Sequence, residues 1–206
     1  MTFPIFTSMK SFLITIFAIS ILAGTNYGQA SYSAQLKKSQ ATYVSNHEVV
    51  TGKDKNYFRF FEVDSLYRVN ASFERINDSI GFTMKTLSAV TRHYFKYGKL
   101  SFMLRDSLLH LTIYQSKDLL TKEKYKDYLL IPFTDVTTGD ASYGSGRYLD
   151  FIIGDIHNNS LAIDFNKAYN PYCAYATGFN CPLPPKENNL GVSILAGEKA
   201  FAKMYH

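Results

Sequence analysis

The stretch Leu100–Ile113, LSFMLRDSLLHLTI, carries the strand pattern from which the fold is predicted. Apolar residues occupy every second position on either side of a tight turn at Asp106-Ser107, a residue pair that favours turns. They are Leu100, Phe102, Leu104, Leu109, Leu111 and Ile113. A period of two places alternate side chains on one face of a strand, whereas a helix needs a period near 3.6. The stretch therefore predicts an antiparallel hairpin with one buried face, and His110 on its exposed side or rim.

Similar β-type patterns extend outward from this hairpin in both directions. They cover Tyr67–Phe73, Phe82–Thr86, Leu129–Phe133, Arg147–Ile153, Leu161–Asn166 and Val192–Ala196. Near the start of the chain, Ser31–Ser45 is compatible with a short helix. Many short strands with turns between them and no long helical period are typical of all-β proteins. We therefore expect an all-β fold, an antiparallel barrel or sandwich of about eight or nine short strands with an N-terminal helix.

Residues 1–30 have the order of a secretory signal peptide. Lys10 precedes the apolar run Phe12–Ala23, and small residues follow at Gly28 and Ala30. The run is shorter than the roughly twenty residues that cross a bilayer as a helix. We expect cleavage after Ala30, with translation starting at Met1 or Met9. The sequence thus predicts a signal peptide over residues 1–30 and a single exported domain, periplasmic or secreted, over residues 31–206, with no membrane span after signal removal.

Cys173 and Cys181 are the two cysteines of the chain. Export would place them in an oxidising compartment, where disulfides persist. We therefore expect a Cys173–Cys181 bridge, which would contribute about 2.5 kcal/mol by restricting the unfolded chain. A metal or redox pair is the alternative, but the spacing is not C-x-x-C.

Charge and motifs exclude several classes of function. The formal net charge is +5, and the cluster Lys122, Lys124 and Lys126 is interrupted by acidic residues. That pattern is typical of a solvated face, so we expect no nucleic-acid partner. The glycines of Gly144–Gly146 precede a strand-like run and do not form a dinucleotide fingerprint. The histidines are scattered, so no metal site is expected, and no cofactor can be identified.

A candidate site follows from pairing two of the expected strands. If Arg147–Ile153 and Leu161–Phe165 form a hairpin with their apolar residues on one face, Asp150 stands directly opposite Asp164. Asn158-Asn159 in the connecting loop tolerates positive backbone angles. Opposed like charges are unfavourable and need a shared proton, a cation or a basic side chain to compensate. Such a pair is a functional-site candidate. The alternative is a bulge that shifts the register and leaves both aspartates solvated.

Polar residues near this pair complete the candidate ligand-binding set. The set is Asp135, Tyr143, Arg147, Tyr148, Asp150, Asp164, Asn166, Tyr169 and Asn170. Arg147 would pair with an anionic group, while the aspartates and Asn166 would bind hydroxyls or amines. The same residue types also hydrogen-bond the backbone of buried loops, which remains the alternative.

Several multi-residue signatures carry a family resemblance. They are YGKLSFML (residues 97–104), DYLLIPFTDVTTG (127–139), SYGSGRYLD (142–150), IDFNKAYNPYCAY (163–175) and CPLPPKENNL (181–190). In this order, from about Tyr57 to Phe201, the chain resembles the bacterial domain-of-unknown-function family 1684 (DUF1684). It departs from the family pattern at Thr51–Asn56, which lacks the usual Ser-Pro-Leu step, and at Ser145, where glycine is common. The resemblance implies no activity, because the family has none established.

Three functions remain open at this point. The first is an exported protein that binds a small polar or anionic ligand at the Tyr143 to Asn170 face. The second is an enzyme that uses Asp150 and Asp164 in hydrolytic or isomerising chemistry. The third is an envelope structural or interaction protein with Tyr169, Tyr172 and Tyr175 on its surface.

Overall fold

The computed structural model describes residues 29–203. The expected signal peptide covers residues 1–30. Residues 1–28 lie outside the described residues, and residues 29 and 30 belong to a helix. Across residues 29–203, none of the helices combines the length and the hydropathy needed to cross a membrane.

The described chain contains one long helix, one short helix and seven strands. Helix α1 covers residues 29–45 and confirms the helix expected there. The strands are β1 (Arg68–Arg75), β2 (Phe82–Met84), β3 (Arg92–Leu104), β4 (Ser107–Ser116), β5 (Tyr128–Phe133), β6 (Arg147–Ile152) and β7 (Ser160–Asp164). Helix α2 covers Lys117–Leu120. Short 3-10 turns occur at Gly52–Tyr57, Ser65–Tyr67, Glu123–Tyr125, Ile153–Asp155, Phe165–Lys167, Tyr172–Ala174 and Lys186–Asn188.

All seven strands belong to one antiparallel sheet. Its order is β6-β5-β4-β3-β1-β7, and β2 pairs with β3 beside this path. The sheet curls into a half-barrel whose two edge strands, β6 and β7, do not pair with each other. The expectation of antiparallel strands with an N-terminal helix is confirmed. The expectation of a closed barrel or sandwich of eight or nine strands is wrong for the described residues.

The hairpin predicted from Leu100–Ile113 is present as β3 and β4. Its register runs from Tyr94↔Ser116 to Leu104↔Ser107, which puts the turn at Arg105-Asp106, one residue earlier than expected. Arg105 takes a positive φ of 52° there. The alternating apolar residues of the strands point inward and form the main core. Its members include Leu100, Phe102, Leu104, Leu111, Ile113, Leu129, Ile131, Phe133, Leu149, Leu161, Ile163 and Phe165.

The predicted strand at Val192–Ala196 is not a strand. Apart from the Val192 carbonyl, which accepts from the Val136 N–H at 3.2 Å, its backbone bonds to side chains instead of to a neighbouring ladder. The Ile194 N–H donates to Asp135 at 3.2 Å, and the Ile194 carbonyl accepts from Arg147 at 2.9 Å. The carbonyl of Ala196 also accepts from Arg147. Because a buried ion pair satisfies these groups, the segment needs no strand partner.

The Cys173–Cys181 bridge is present, with a Cα–Cα distance of 6.2 Å. The prediction of a disulfide is confirmed. The bridge closes the loop that follows Tyr169 and holds it against the sheet edge, where Thr86 and Pro182 form an isolated antiparallel bridge.

Candidate functional site

The expected hairpin between β6 and β7 does not exist. β6 pairs with β5, which places Asp150 opposite Leu130. β7 pairs with β1, which places Asp164 opposite Arg68. Asn158 and Asn159 do adopt the expected positive φ, at 49° and 54°. Their turn joins His157 to Ser160 and not one strand to the other. The predicted opposition of Asp150 and Asp164 across a ladder is therefore wrong.

The two aspartates nevertheless line one cleft between the sheet edges. This edge cleft has a volume of about 480 Å³. Its lining includes Asp150 from β6 and Asp164 from β7, together with Asp155, His157 and Lys167. Among the residues described, no three His, Cys, Asp or Glu side chains converge as metal ligands would.

Asp164 anchors helix α1 to the sheet. Both of its carboxylate oxygens lie 2.9 Å from the hydroxyl of Tyr32, which donates from the helix. Its Oδ1 also accepts from the backbone N–H of Asn166 at 3.1 Å. Burial, together with the carboxylate, raises the pKa of Tyr32, so this phenol stays protonated as a donor. Asp164 thus has a structural partner from a distant part of the chain.

Arg147 is an internal residue and not a ligand-facing one. Its side chain is fully buried and forms an ion pair with Asp135 at 2.8 Å, also fully buried. The guanidinium donates further to the carbonyls of Ile194, Ala196 and Glu198. Burial lowers the pKa of Arg147, and the charge of Asp135 opposes that shift. With these acceptors in place, the guanidinium is not positioned for the predicted pairing with an anionic ligand.

Glycine is required immediately before Arg147. Gly146 has a φ of 87°, and a Cβ built there would lie 2.5 Å from the carbonyl oxygen of Phe133. The close approach lets β6 begin with Arg147 already pointing into the protein.

Three more members of the predicted set support loops. Asn166 pins the backbone of Asp64, accepting from its N–H at 3.1 Å and donating to its carbonyl at 2.8 Å. Asn170 donates its N–H to Glu198 at 2.9 Å and its side-chain amide to the Lys199 carbonyl at 2.8 Å. Tyr143 is half-buried on the loop before β6, and its carbonyl accepts from Gly146 at 3.1 Å.

Asp150, Tyr148 and Tyr169 do come together, in the lining of a second cleft. The hydroxyl of Tyr169 donates to Asp150 Oδ1 at 2.8 Å, and the hydroxyl of Tyr128 donates to the same atom at 2.7 Å. Tyr148 lies beside them, with its ring centroid 5.9 Å from that of Tyr169 and its backbone bridged to the backbone of Tyr169. One carboxylate oxygen is therefore fixed by two phenols.

The carboxylate of Asp150 has no cationic partner among the described residues. The residue is exposed to solvent in the cleft. Protein atoms packed close to the carboxylate raise the pKa of Asp150, while the hydrogen bonds from Tyr128 and Tyr169 oppose the shift. Burial and then the charge of Asp150 raise the pKa of Tyr128 and of Tyr169, so both remain protonated donors.

This second cleft, the aromatic cleft, has a volume of about 660 Å³. Three parts of the chain surround it: the end of α1, strand β6 and the disulfide-closed loop. Its lining is Thr42, Tyr43, Asn46, His47, Glu48, Tyr148, Asp150, Tyr169, Pro171, Tyr172, Phe179, Asn180, Cys181 and Pro182. The volume lies in the range of small-molecule sites, which are concave, mainly apolar and supplied with a few polar groups.

Sequence reasoning missed Tyr43, His47, Phe179 and Tyr128 as parts of this site. Tyr43 lies in the last turn of α1 and His47 lies two residues after the helix ends. Both are far from β6 in the chain, and no local pattern connects them to it. Phe179 could have been predicted, because a disulfide loop that packs against the candidate strand brings its aromatic residues to that strand. Tyr128 directly precedes the strand predicted from Leu129, and this position is the sequence feature that could have identified it. The strand lies beside β6 in the sheet.

Comparisons with known proteins agree with the fold and name no activity. The chain matches a family model described as "Protein of unknown function (DUF1684)" over residues 56–199. It is similar to the solution NMR structure of an uncharacterized protein from Haloarcula marismortui, at 28% identity and a TM-score of 0.62. That match covers 84% of this chain and 97% of the other. Among curated proteins, no match is found.

Proposed function

The chain belongs to the DUF1684 family of proteins of unknown function, and we propose that it is an exported protein that binds a small polar ligand in the aromatic cleft. The observation that carries the proposal is the arrangement of Asp150. Its Oδ1 is held by Tyr128 and Tyr169, and no protein group in the described chain donates to its Oδ2. A carboxylate oxygen that is held in place in the lining of a cleft and is open to solvent is a ready acceptor for a ligand.

The geometry favours a ligand that donates hydrogen bonds over an anionic one. The prediction of an anionic ligand depended on Arg147 as its partner. Arg147 instead forms an ion pair with Asp135 and donates hydrogen bonds to three backbone carbonyls. The prediction of a ligand with hydroxyls or amines depended on the aspartates, and Asp150 keeps that role in the proposal. Asp164 drops out of the ligand set, because Tyr32 and Asn166 already donate to it.

Export is supported by two independent features. The order of residues 1–30 is that of a signal peptide, and the Cys173–Cys181 bridge is of the kind that persists in oxidising compartments. The bridge also contributes directly to the site, since Cys181 lines the aromatic cleft.

An enzyme is the second candidate, favoured by the edge cleft. Asp150 and Asp164 both line it, with His157 and Lys167 nearby. Two carboxylates in one cleft could divide the roles of acid and base. The candidate ranks second because the carboxylate of Asp164 is engaged by Tyr32 on both oxygens.

The interaction-protein hypothesis loses most of its support. It needs tyrosines that face outward, whereas Tyr175 is buried and Tyr169 lines the cleft. Tyr172, at 37% exposure, is the one of the three that meets solvent to a large extent.

A thermal-shift screen tests the proposed function. The purified protein is screened against sugars, organic acids, amines and divalent metals, because a ligand that binds only the folded state raises the melting temperature. We expect at least one hit that is lost in Asp150→Asn. The matched control is Asp127→Asn, which makes the same charge change at an exposed position outside the cleft. Equal shifts in wild type and Asp150→Asn would contradict the proposed site.

A further inference from the structure

The lining of the aromatic cleft is one-sided in charge. Asp150 and Glu48, both exposed, supply carboxylates, and the described lining contains no lysine or arginine. Lys55 is close enough to His47 to lower its pKa, after burial as the larger cause. The ammonium of Lys55 nevertheless donates to the Ser45 carbonyl, and the residue does not line the cleft. The formal charges on the lining itself are therefore negative, and Lys55, outside the lining, opposes them at His47.

Aromatic rings supply the walls between the two carboxylates. Tyr148 and Tyr169 are nearly perpendicular, with an interplanar angle of 86°. On the opposite wall, Tyr172 meets His47 at 78° and Phe179 at 61°. Rings at such angles present both faces and edges to the space between them. The face of an aromatic ring attracts a cation with about 0.5–2 kcal/mol per contact, more where water is excluded.

Asp150 has no counter-charge among the described residues. Its residue is exposed to solvent in the cleft, and a nearby cation stabilises a carboxylate. The phenols of Tyr128 and Tyr169 donate hydrogen bonds to it but bring no charge. A neutral sugar would stack on the rings and donate hydroxyls, yet it would leave the carboxylate unneutralised. A ligand cation would satisfy both the carboxylate and the rings.

From these observations we propose that the ligand of the aromatic cleft is a small organic cation, an amine or quaternary ammonium, with Asp150 as its counter-ion and the ring walls around its alkyl groups. This inference rests on the proposed function, because it names the ligand class of the same site. It gives each part of the cleft a role: the charge of Asp150 selects the cation, and the rings hold it.

Calorimetric titration with three probes tests the ligand class. Choline is the cation, 3,3-dimethylbutanol is its neutral isostere of nearly equal shape, and glucose represents neutral sugars. We expect choline to bind at least about tenfold more tightly than the isostere, the effect of roughly 1.4 kcal/mol of charge-dependent attraction. Asp150→Asn should remove that tenfold preference, while Asp127→Asn should keep it.

A second variant tests the proposal independently, in case Asp150→Asn does not fold. Tyr172→Leu removes a partly exposed ring from the wall and leaves the main core untouched. It should weaken choline about threefold or more by loss of one cation–π contact and should leave the melting temperature of the free protein nearly unchanged. Unaltered choline affinity in this variant would overturn the role assigned to the walls.

The outcomes separate the ligand class from the proposed function. Equal binding of choline and its isostere, or preference for glucose, would overturn the cation proposal and leave a ligand-binding cleft standing. Absence of binding by all three probes, combined with a screen without hits, would overturn both.

Discussion

At the scale of one residue, the complete burial of Arg147 gives it a structural role instead of a ligand-binding one. Its ion pair with Asp135 is fully enclosed, and its guanidinium ties the segment 194–198 to the sheet. Breaking a buried pair leaves an uncompensated charge and costs about 3–5 kcal/mol. We therefore expect Arg147→Met to lower the free energy of unfolding by that amount in urea denaturation.

The matched control for this prediction is the exposed pair Lys126–Glu123, at 2.6 Å. Lys126→Met should lower the free energy of unfolding by less than about 1 kcal/mol, because solvent screens an exposed pair. An Arg147→Met protein as stable as the Lys126→Met protein would contradict the structural role of Arg147.

Glu198 makes the stability of the protein depend on pH. It is fully buried, and it accepts from Tyr175 at 2.7 Å and from the Asn170 N–H at 2.9 Å. Burial raises its pKa to about 7 from 4.5, although these hydrogen bonds oppose the shift. Because the folded pKa lies above the unfolded one, the contribution of Glu198 is fully present below about pH 4.5 and is lost as the pH rises to about 7.

The expected result is a pH-dependent difference between wild type and Glu198→Gln. Relative to this variant, the wild-type free energy of unfolding should fall as the pH rises from about 4.5 to about 7, and should level off above. Chemical denaturation at a series of pH values measures the difference. Parallel curves for the two proteins would show that Glu198 titrates normally in the folded state.

At the scale of elements, the disulfide loop and helix α1 build the cleft together. The loop contributes Tyr172, Phe179 and Cys181 to the lining, and the end of α1 with the residues just after it contributes Tyr43 and His47. Neither element belongs to the sheet. The position of each depends on tertiary contacts, among them the Cys173–Cys181 bridge and the Tyr32–Asp164 hydrogen bond, which makes those links sensitive points of the site.

Removing the disulfide should affect stability and binding together. Cys173→Ser combined with Cys181→Ser frees the loop, and the loop-entropy model gives a loss of about 2.5 kcal/mol. We expect a lower melting temperature and, at a temperature where the variant is still folded, weaker binding of any ligand found in the screen. Unchanged affinity in the folded variant would show that the loop is not a wall of the site.

The helix is tied to β7 by Tyr32 and Asp164. Tyr32→Phe removes a hydroxyl that donates to a carboxylate at 2.9 Å, a hydrogen bond worth about 1.5–3 kcal/mol. Amide hydrogen exchange should report faster opening of residues 29–45 with little change in β3 and β4. Faster exchange throughout the sheet would contradict a local anchoring role.

At the scale of the whole molecule, alternation predicted most strands because it reports one buried face. The β3–β4 hairpin and the inward residues of β5 and β7 follow from it directly. The pairing of β6 and β7 could not be read in this way, since period two gives the face of a strand and not its neighbour. Proximity in the chain suggested a hairpin, whereas β5 and β1 provide the actual partners.

The same distinction explains which site residues were predictable. Asp150, Tyr148 and Tyr169 lie close in sequence and were identified together. Tyr43 and His47 reach the cleft only through the docking of α1, a long-range contact that no local pattern encodes. Arg147 and Asp135 resembled ligand-binding groups because buried ion pairs and binding sites use the same residue types.

The net charge of +5 means that attraction of a cation must be local. At physiological salt, charges beyond about 8 Å are largely screened, so the lining carboxylates Asp150 and Glu48 act locally on a ligand in the aromatic cleft, opposed at His47 by Lys55. The protein as a whole can therefore be basic while its cleft selects a cation.

An NMR titration of isotope-labelled protein with choline locates the ligand without a mutation. We predict amide shifts concentrated in the three segments that surround the aromatic cleft, which are Thr42–Glu48, Tyr148–Asp150 and Tyr169–Pro182. Shifts centred instead on Tyr32, Arg68 and Lys167, which line a separate groove beside α1, or no shifts at all, would contradict this prediction.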